Sequence, residues 1–278
     1  GPRGRIRPED VKSHVKQSLA APGAATPAGG GAGLNLLPWP TVDFSKFGAT
    51  ELVPLSKIKK SAAANLARNW VMIPHVTNHD EADITELEAF RVKLNEEHAK
   101  DKDAPKVTLL AFLIKACVAA LKKYPTFNAS LAGDNLVLKR YYHIGFAVDT
   151  PNGLVVPALR DADQKGILQI AAEMTALSVK ARDGKLAMND LQGATFTISS
   201  LGGIGGTSFS PIINAPEVAI LGVSRAAMRP VWDGAQFAPR LMLPLSLSWD
   251  HRVVDGASAA RFNAYLGSLL GDLRRLVL

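Results

Sequence analysis

Leu245-Ser246-Leu247-Ser248-Trp249 alternates apolar and hydroxyl-bearing residues and runs straight into Asp250-His251-Arg252-Val253-Val254-Asp255-Gly256. The alternation predicts a strand over residues 241–249. Downstream, a helix is predicted from about 257 to 275. His251 therefore sits in a charged turn at a strand end, where a side chain is held rigidly and still reaches a cavity. So many charges beside an apolar strand are costly unless they are solvated or functional. A histidine has an ordinary pKa of about 6.5, which suits proton removal near neutral pH. His251 is thus the candidate general base, and Asp255 reads as a carboxylate that orients the turn by pairing with a basic side chain. The other histidines, at positions 14, 75, 79, 98 and 143, read as ordinary core or surface residues.

Working outward, the residues from 42 to 278 read as one folded body. Ser56 is placed to cap a helix over 57–70, Thr85 a helix over 86–98, and Thr108 a buried helix that ends before Pro125. Extended segments are predicted at 75–83, 136–139, 142–149 and 154–157, with a turn at Pro151-Asn152-Gly153. A periodic helix over 167–182 closes at Gly184, and strands are expected at 194–200 and 218–224. Helices and strands mix without strict strand-helix-strand alternation, so the fold class is α/β: a mixed sheet packed with helices.

Residues 21–41 read differently. Ala21-Pro22-Gly23-Ala24-Ala25-Thr26-Pro27-Ala28-Gly29-Gly30-Gly31-Ala32-Gly33 carries no charge and no apolar periodicity, which predicts a flexible tether. Residues 1–20 are basic, with a short helix expected from Pro8 and acids Glu9 and Asp10 in its first turn. They are too few to bury a core, and read as the end of a small domain.

The composition excludes several classes. The chain of 278 residues is 47% hydrophobic and 21% charged, ordinary for a soluble globular protein. One cysteine, Cys117, excludes an intramolecular disulfide and a cysteine zinc site, and fits a reducing cytoplasm. No metal site is expected. The apolar run from Leu109 to Leu121 is too short to span a bilayer and contains Lys115. The net charge of +7 favours anionic partners, but no nucleic-acid-binding signature accompanies it.

Phe196-Thr197-Ile198-Ser199-Ser200 leads into the glycine-rich Leu201-Gly202-Gly203-Ile204-Gly205-Gly206. Three functional readings stand beside that of a plain strand and turn: a phosphate cradle, a nucleophilic serine, and a hydroxyl that donates to a developing oxyanion. No phosphate-loop motif and no Gly-x-Ser-x-Gly elbow supports the first two.

Taken together, Asp250 to Gly256, Phe196 to Gly202 and Asn214-Ala215-Pro216-Glu217-Val218-Ala219-Ile220-Leu221-Gly222-Val223 resemble the signatures of the dihydrolipoamide acyltransferases, the E2 components of 2-oxo-acid dehydrogenase complexes. Asn69 to Thr77 and Leu241 to Ser248 look most like the acetyl-transferring, pyruvate-complex branch. The resemblance implies a two-layer fold like that of chloramphenicol acetyltransferase, built as trimers that assemble into a 24-mer core. It implies that His251 takes the proton of a thiol of coenzyme A or dihydrolipoamide, that Ser199 stabilises the oxyanion, and that Asp255 is structural. His251 and Ser199 would come from neighbouring subunits. Arg91 and Lys93 fall near the family's coenzyme A entrance, as candidate phosphate contacts. Gly1 to Val11 resembles the second half of the family's peripheral-subunit-binding domain, with Arg5 at a position that meets the decarboxylase (E1) and the dihydrolipoamide dehydrogenase (E3). Lipoyl domains are expected upstream. Succinyl transfer, branched-chain acyl transfer, antibiotic acetylation and a chemically silent scaffold are the alternatives.

Overall fold

The computed structural model describes residues 37–101 and 104–277, together with Pro8 and Lys12. Pro8 and Lys12 are both helical, where a helix is expected. Arg5 and residues 21–36 of the expected tether lie outside the described residues. The chain forms two compact units, residues 1–54 and residues 55–278. In the first, Phe44–Lys46 make a 3-10 turn capped by Asp43, whose carboxylate accepts the Ser45 N–H.

The second unit opens with α1 (Lys57–Met72), capped as expected by the Ser56 hydroxyl, which accepts the Lys59 N–H at 3.2 Å. β1 (His75–Asp83) follows, then α2 (Thr85–Glu97) and α3 (Leu109–Lys123). Thr85 is not the cap of α2: it is the first helical residue. Its hydroxyl is drawn instead to Asp83 Oδ1 at 2.6 Å, and it accepts the Leu241 N–H at 2.8 Å. Thr108 is the N-cap residue of α3 but makes no side-chain cap bond.

β2 (Ala129–Ala132) and β3 (Asn135–Leu138) pair as a separate hairpin. β4 (Ile144–Phe146), β5 (Ala158–Leu159), α4 (Ile167–Arg182), β6 (Phe196–Ser200), β7 (Ala219–Val223), β8 (Ala227–Trp232), β9 (Phe237–Asp250) and α5 (Gly256–Gly271) complete the unit. The final helix is shorter than expected and gives way to a 3-10 turn over Leu273–Val277. The extended segment expected at 154–157 is reduced to a bridge between Val148 and Val155.

Seven strands form one mixed sheet in the order β1-β9-β7-β6-β4-β5, with β8 also on β9. β4, β6 and β7 run parallel, and the remaining pairs are antiparallel. Ile144, Phe196, Ile198, Leu221, Leu245, Leu247 and Trp249 are buried on the helix side, in one core with Phe112 and Ile114 of α3 and Phe262 and Leu266 of α5. The register places Ser199 opposite Gly222, Gly222 opposite Ser246, and Ser246 opposite His79. Residues directly opposite one another share a face. Ser199, Gly222, Ser246 and His79 therefore form a row across the second face, one residue out of phase with the core residues Ile198, Leu221, Leu245 and Leu247. Among the described residues, no helix is long and apolar enough to cross a membrane.

Candidate active site

Ser199 is half-buried near the end of β6. It lines a cavity of about 240 Å³ with Thr197, Phe209, Asn214 and Ile220. Its hydroxyl has no hydrogen-bond partner among the described residues, so its proton is available to a ligand. Gly222 beside it admits Phe209: a Cβ there would stand 2.8 Å from Phe209 Cζ. The glycine-rich loop that follows folds on itself, because the N–H groups of Ile204 and Gly205 both donate to Leu201 O, at 2.8 and 3.0 Å. Those two amides are not free to cradle a phosphate, and Ser199 lies in a strand rather than on an elbow.

His251 follows the last residue of β9 and is exposed. Three contacts set its place. Its backbone N–H donates to Pro74 O at 3.1 Å. Its ring lies 4.9 Å from that of Trp249, tilted by 45°. Trp249 is itself buried and fixed by a 2.7 Å bond from its indole N–H to Asn78 Oδ1. Both ring nitrogens of His251 are without a hydrogen bond among the described residues. His75 differs: its two ring nitrogens bond Ile73 O at 2.8 Å and the Ile213 N–H at 3.0 Å, a structural role as expected.

The charged turn is organised differently from the expectation. Its basic side chain, Arg252, bonds Asp250 rather than Asp255, with Nη2 at 2.7 Å from Asp250 Oδ2. This bond holds the Arg252 pKa above its usual value. Asp255 makes no ion pair among the described residues; it caps α5 and accepts the Ser258 N–H at 2.7 Å. Hydrogen bonding to Ser258 lowers the Asp255 pKa, as expected for a carboxylate at a helix N-terminus.

On one chain, Ser199 and His251 are far apart. Ser199 is level with Ser246 of β9, so His251 lies about 17 Å further along the strand direction and about 10 Å across two strand spacings. Arg91 is on α2, where its guanidinium donates to both Glu88 oxygens, at 2.8 and 2.7 Å, and to Val107 O. Those contacts hold it in the fold. Lys93 is exposed, 4.0 Å from Glu97.

Glu217 and Asn214 have no role in the reading of the sequence beyond membership of a signature. In the fold, Glu217 is buried, and its Oε1 accepts from Thr197 Oγ1 at 2.9 Å and Asn214 Nδ2 at 3.0 Å. Burial pushes its carboxyl up to about 7, against the hydrogen bonds from Thr197 and Asn214 and the charge of Lys139.

Comparison with known proteins identifies the family. The family described as 2-oxoacid dehydrogenases acyltransferase (catalytic domain) matches residues 47–278. The dihydrolipoyllysine-residue acetyltransferase component of the pyruvate dehydrogenase complex from Cupriavidus necator is 66% identical, covering 100% of this chain and 51% of that protein. The corresponding Haemophilus influenzae component is 58% identical, with the same coverage. The chain spans about half the length of these curated relatives. A structure of Azotobacter vinelandii dihydrolipoamide acetyltransferase is 57% identical, with a TM-score of 0.85, and covers 87% of this chain and 100% of its own. It was determined to investigate a serine, a histidine and an asparagine in the catalytic mechanism, spaced as Ser199, His251 and Asp255 are here. A structure of the cubic core of a pyruvate dehydrogenase multienzyme complex matches with the same identity, TM-score and coverage. The chain belongs to the 2-oxoacid dehydrogenases acyltransferase family, of which residues 47–278 form the catalytic domain.

Proposed function

We propose that this chain is the catalytic core of a dihydrolipoyllysine-residue acetyltransferase. It transfers an acetyl group between the dihydrolipoyl group of a lipoyl domain and coenzyme A, and forms the structural core of a pyruvate dehydrogenase complex. One observation carries this reading. Ser199 and His251 have the spacing of the serine and histidine studied in the Azotobacter vinelandii enzyme, and both present polar atoms without partners among the described residues.

The neutral imidazole of His251 takes the proton of the coenzyme A thiol. The thiolate attacks the carbonyl carbon of the acetyl thioester, and the carbonyl oxygen becomes an oxyanion. Ser199 donates a hydrogen bond to that oxyanion, an interaction worth about 3 kcal/mol in the transition state. Collapse breaks the bond to the dihydrolipoyl sulfur, which leaves as a thiolate and recovers the proton from His251. No acyl-enzyme forms. The separation of Ser199 from His251 on one chain requires each site to be completed between subunits, which a trimer supplies.

The same reading places trimers in a 24-mer cage, with E1, E3 and lipoyl domains as partners. Residues 1–20 are then the end of a peripheral-subunit-binding domain with Arg5 on its partner face, residues 21–41 a tether, and residues 42–278 the acyltransferase domain. Lys93 is the better of the two candidate phosphate contacts for coenzyme A, because Arg91 is held by Glu88 and Val107. The site of action is cytoplasmic.

His251→Ala tests the assignment. Acetyl transfer between acetyl-CoA and dihydrolipoamide should be lost while particle mass is unchanged. Transfer near the wild-type rate in the assembled variant would remove His251 as the base. Ser199→Ala should lower turnover by about 10²-fold or more.

A further inference from the structure

Glu217 is only 3% exposed, yet its Oε2 has no hydrogen-bond partner among the described residues. A site that needed filling alone would be better served by an apolar residue. The surroundings show what the carboxyl does instead. Thr197, whose hydroxyl donates to Oε1, lies two residues before Ser199 on the same face of β6. Thr197, Asn214 and Ser199 line one cavity. Thr197 has little freedom of its own: a Cβ on Gly145 would stand 2.7 Å from its Oγ1.

On its other side, Glu217 lines a second cavity with Asp250 and Arg252, the pair that flanks His251. The neighbouring carbonyl, Val218 O, accepts the Asp250 N–H at 2.9 Å. Residues 217 and 218 therefore bond the neighbours of both groups: Glu217 meets Thr197 and Asn214 on the wall of the Ser199 cavity, and Val218 meets Asp250, the residue before His251.

We propose that Glu217 is a positioning residue of the acyl-transfer site, holding Thr197 and Asn214 in place on the wall of the Ser199 cavity while Val218 fixes the strand end that presents His251. The inference rests on the acyl-transfer reading above. Glu217 does not touch the thioester, so its loss acts on the placement of other groups and appears in kcat rather than in the KM for acetyl-CoA.

The test compares the wild-type full chain with Glu217→Leu, Glu217→Gln, Thr197→Val and the Thr197→Val/Glu217→Leu double variant, using acetyl-CoA and dihydrolipoamide. Particle mass and melting temperature are recorded for each. Glu217→Leu should lower kcat about tenfold or more, because small misplacements of reacting groups are expensive, with the KM for acetyl-CoA little changed. Glu217→Gln keeps an oxygen for both donors and should restore most of kcat. Thr197→Val should lower kcat alone and add nothing to the loss in Glu217→Leu, as expected for one coupled network. Wild-type kcat in the Leu variant, or equal losses in the Leu and Gln variants, overturns the proposal. If the Leu variant fails to assemble, Thr197→Val decides, and wild-type kcat there overturns the proposal. Absence of transfer by the wild-type chain overturns the acyl-transfer reading and this inference with it, whereas transfer unaltered by the variants overturns this inference alone.

Discussion

Asp250 and Arg252 clasp each other across His251. Asp250 Oδ1 accepts the backbone N–H of Arg252 at 3.0 Å, and Oδ2 lies 2.7 Å from Arg252 Nη2. The Asp250 side chain is 3% exposed and that of Arg252 is 42% exposed. Removing the arginine leaves a buried carboxylate with one backbone partner, a large penalty in a dry site, reduced here by the solvent around Arg252. Arg252→Met should therefore cost about 1–2 kcal/mol, measured by denaturant unfolding, and should lower kcat because the turn that carries His251 loosens. An unfolding midpoint equal to that of wild type would show that the clasp does not hold the turn.

Asp255 has the same spacing from His251 as the asparagine has from the histidine studied in the Azotobacter vinelandii enzyme. Both residues cap helices well. Asp255→Asn should keep the melting temperature near wild type at pH 7, and Asp255→Ala should lower it. The pKa of Asp255 is lowered in the fold, first by the Ser258 N–H, so its contribution is complete above the ordinary carboxylate range and is lost as pH falls through the folded value. The Asn variant should lack that acid-side loss. Identical melting of wild type and the Ala variant would remove the capping role.

Glu217 titrates in the opposite sense. Its carboxyl is raised from 4.5 to about 7 by burial, so the folded chain holds a proton that the unfolded chain releases. Stability should fall as pH rises from about 4.5 and level off above about 7, by up to about 3 kcal/mol. Glu217→Gln should flatten that slope. Urea unfolding of the two proteins at pH 5 and pH 8 checks the sign, and equal slopes would show that Glu217 is ionised throughout.

Much of the fold was legible in the sequence where burial is one-sided. β9 shows its alternation because Leu245, Leu247 and Trp249 enter the core while Ser246 and Ser248 lie on the other face. β8 is silent: Ala227-Met228-Arg229-Pro230-Val231-Trp232 is almost wholly exposed and contains a proline, so no period marks it. The site is harder to see than the fold. Ser199 and His251 are recognisable from their signatures, but their separation is a property of sheet register, which joins residues from distant parts of the chain. Glu217 is a charged residue after a proline, and nothing in the local sequence marks it as buried. Only the folded loop buries it, and no local period records that. Asp255 belongs to the turn the sequence marks, but it meets the N-terminus of α5 rather than a basic side chain, and the sequence does not show which of the two a carboxylate will meet.

Gly222 is required for space rather than for backbone freedom. A Cβ there would lie 2.8, 3.0 and 3.2 Å from three ring atoms of Phe209, which lines the Ser199 cavity. Gly222→Ala should displace the ring, cost about 1–3 kcal/mol as an overpacked site, and raise the KM for the acyl substrate. Adding Phe209→Leu should recover part of the stability. If the double variant is no more stable than Gly222→Ala, the clash lies elsewhere.

The separation of Ser199 and His251 can be tested by mixing. His251→Ala and Ser199→Ala each lose most or all of the activity by the proposed mechanism, one lacking the base and the other the oxyanion donor. If both residues of a site came from one chain, every chain in a mixed assembly would lack one of them, and no mixture would work. If each site pairs His251 of one subunit with Ser199 of the next, a site is intact when the first subunit is a Ser199→Ala chain and the second a His251→Ala chain. Random exchange at equal amounts makes roughly a quarter of the sites intact in a cyclic trimer. Co-expression of the two variants, differently tagged and purified through both tags, should give acetyl transfer at about that fraction of the wild-type rate, with an unchanged KM for acetyl-CoA. Activity no higher than that of either variant alone would overturn the pairing of His251 and Ser199 across subunits.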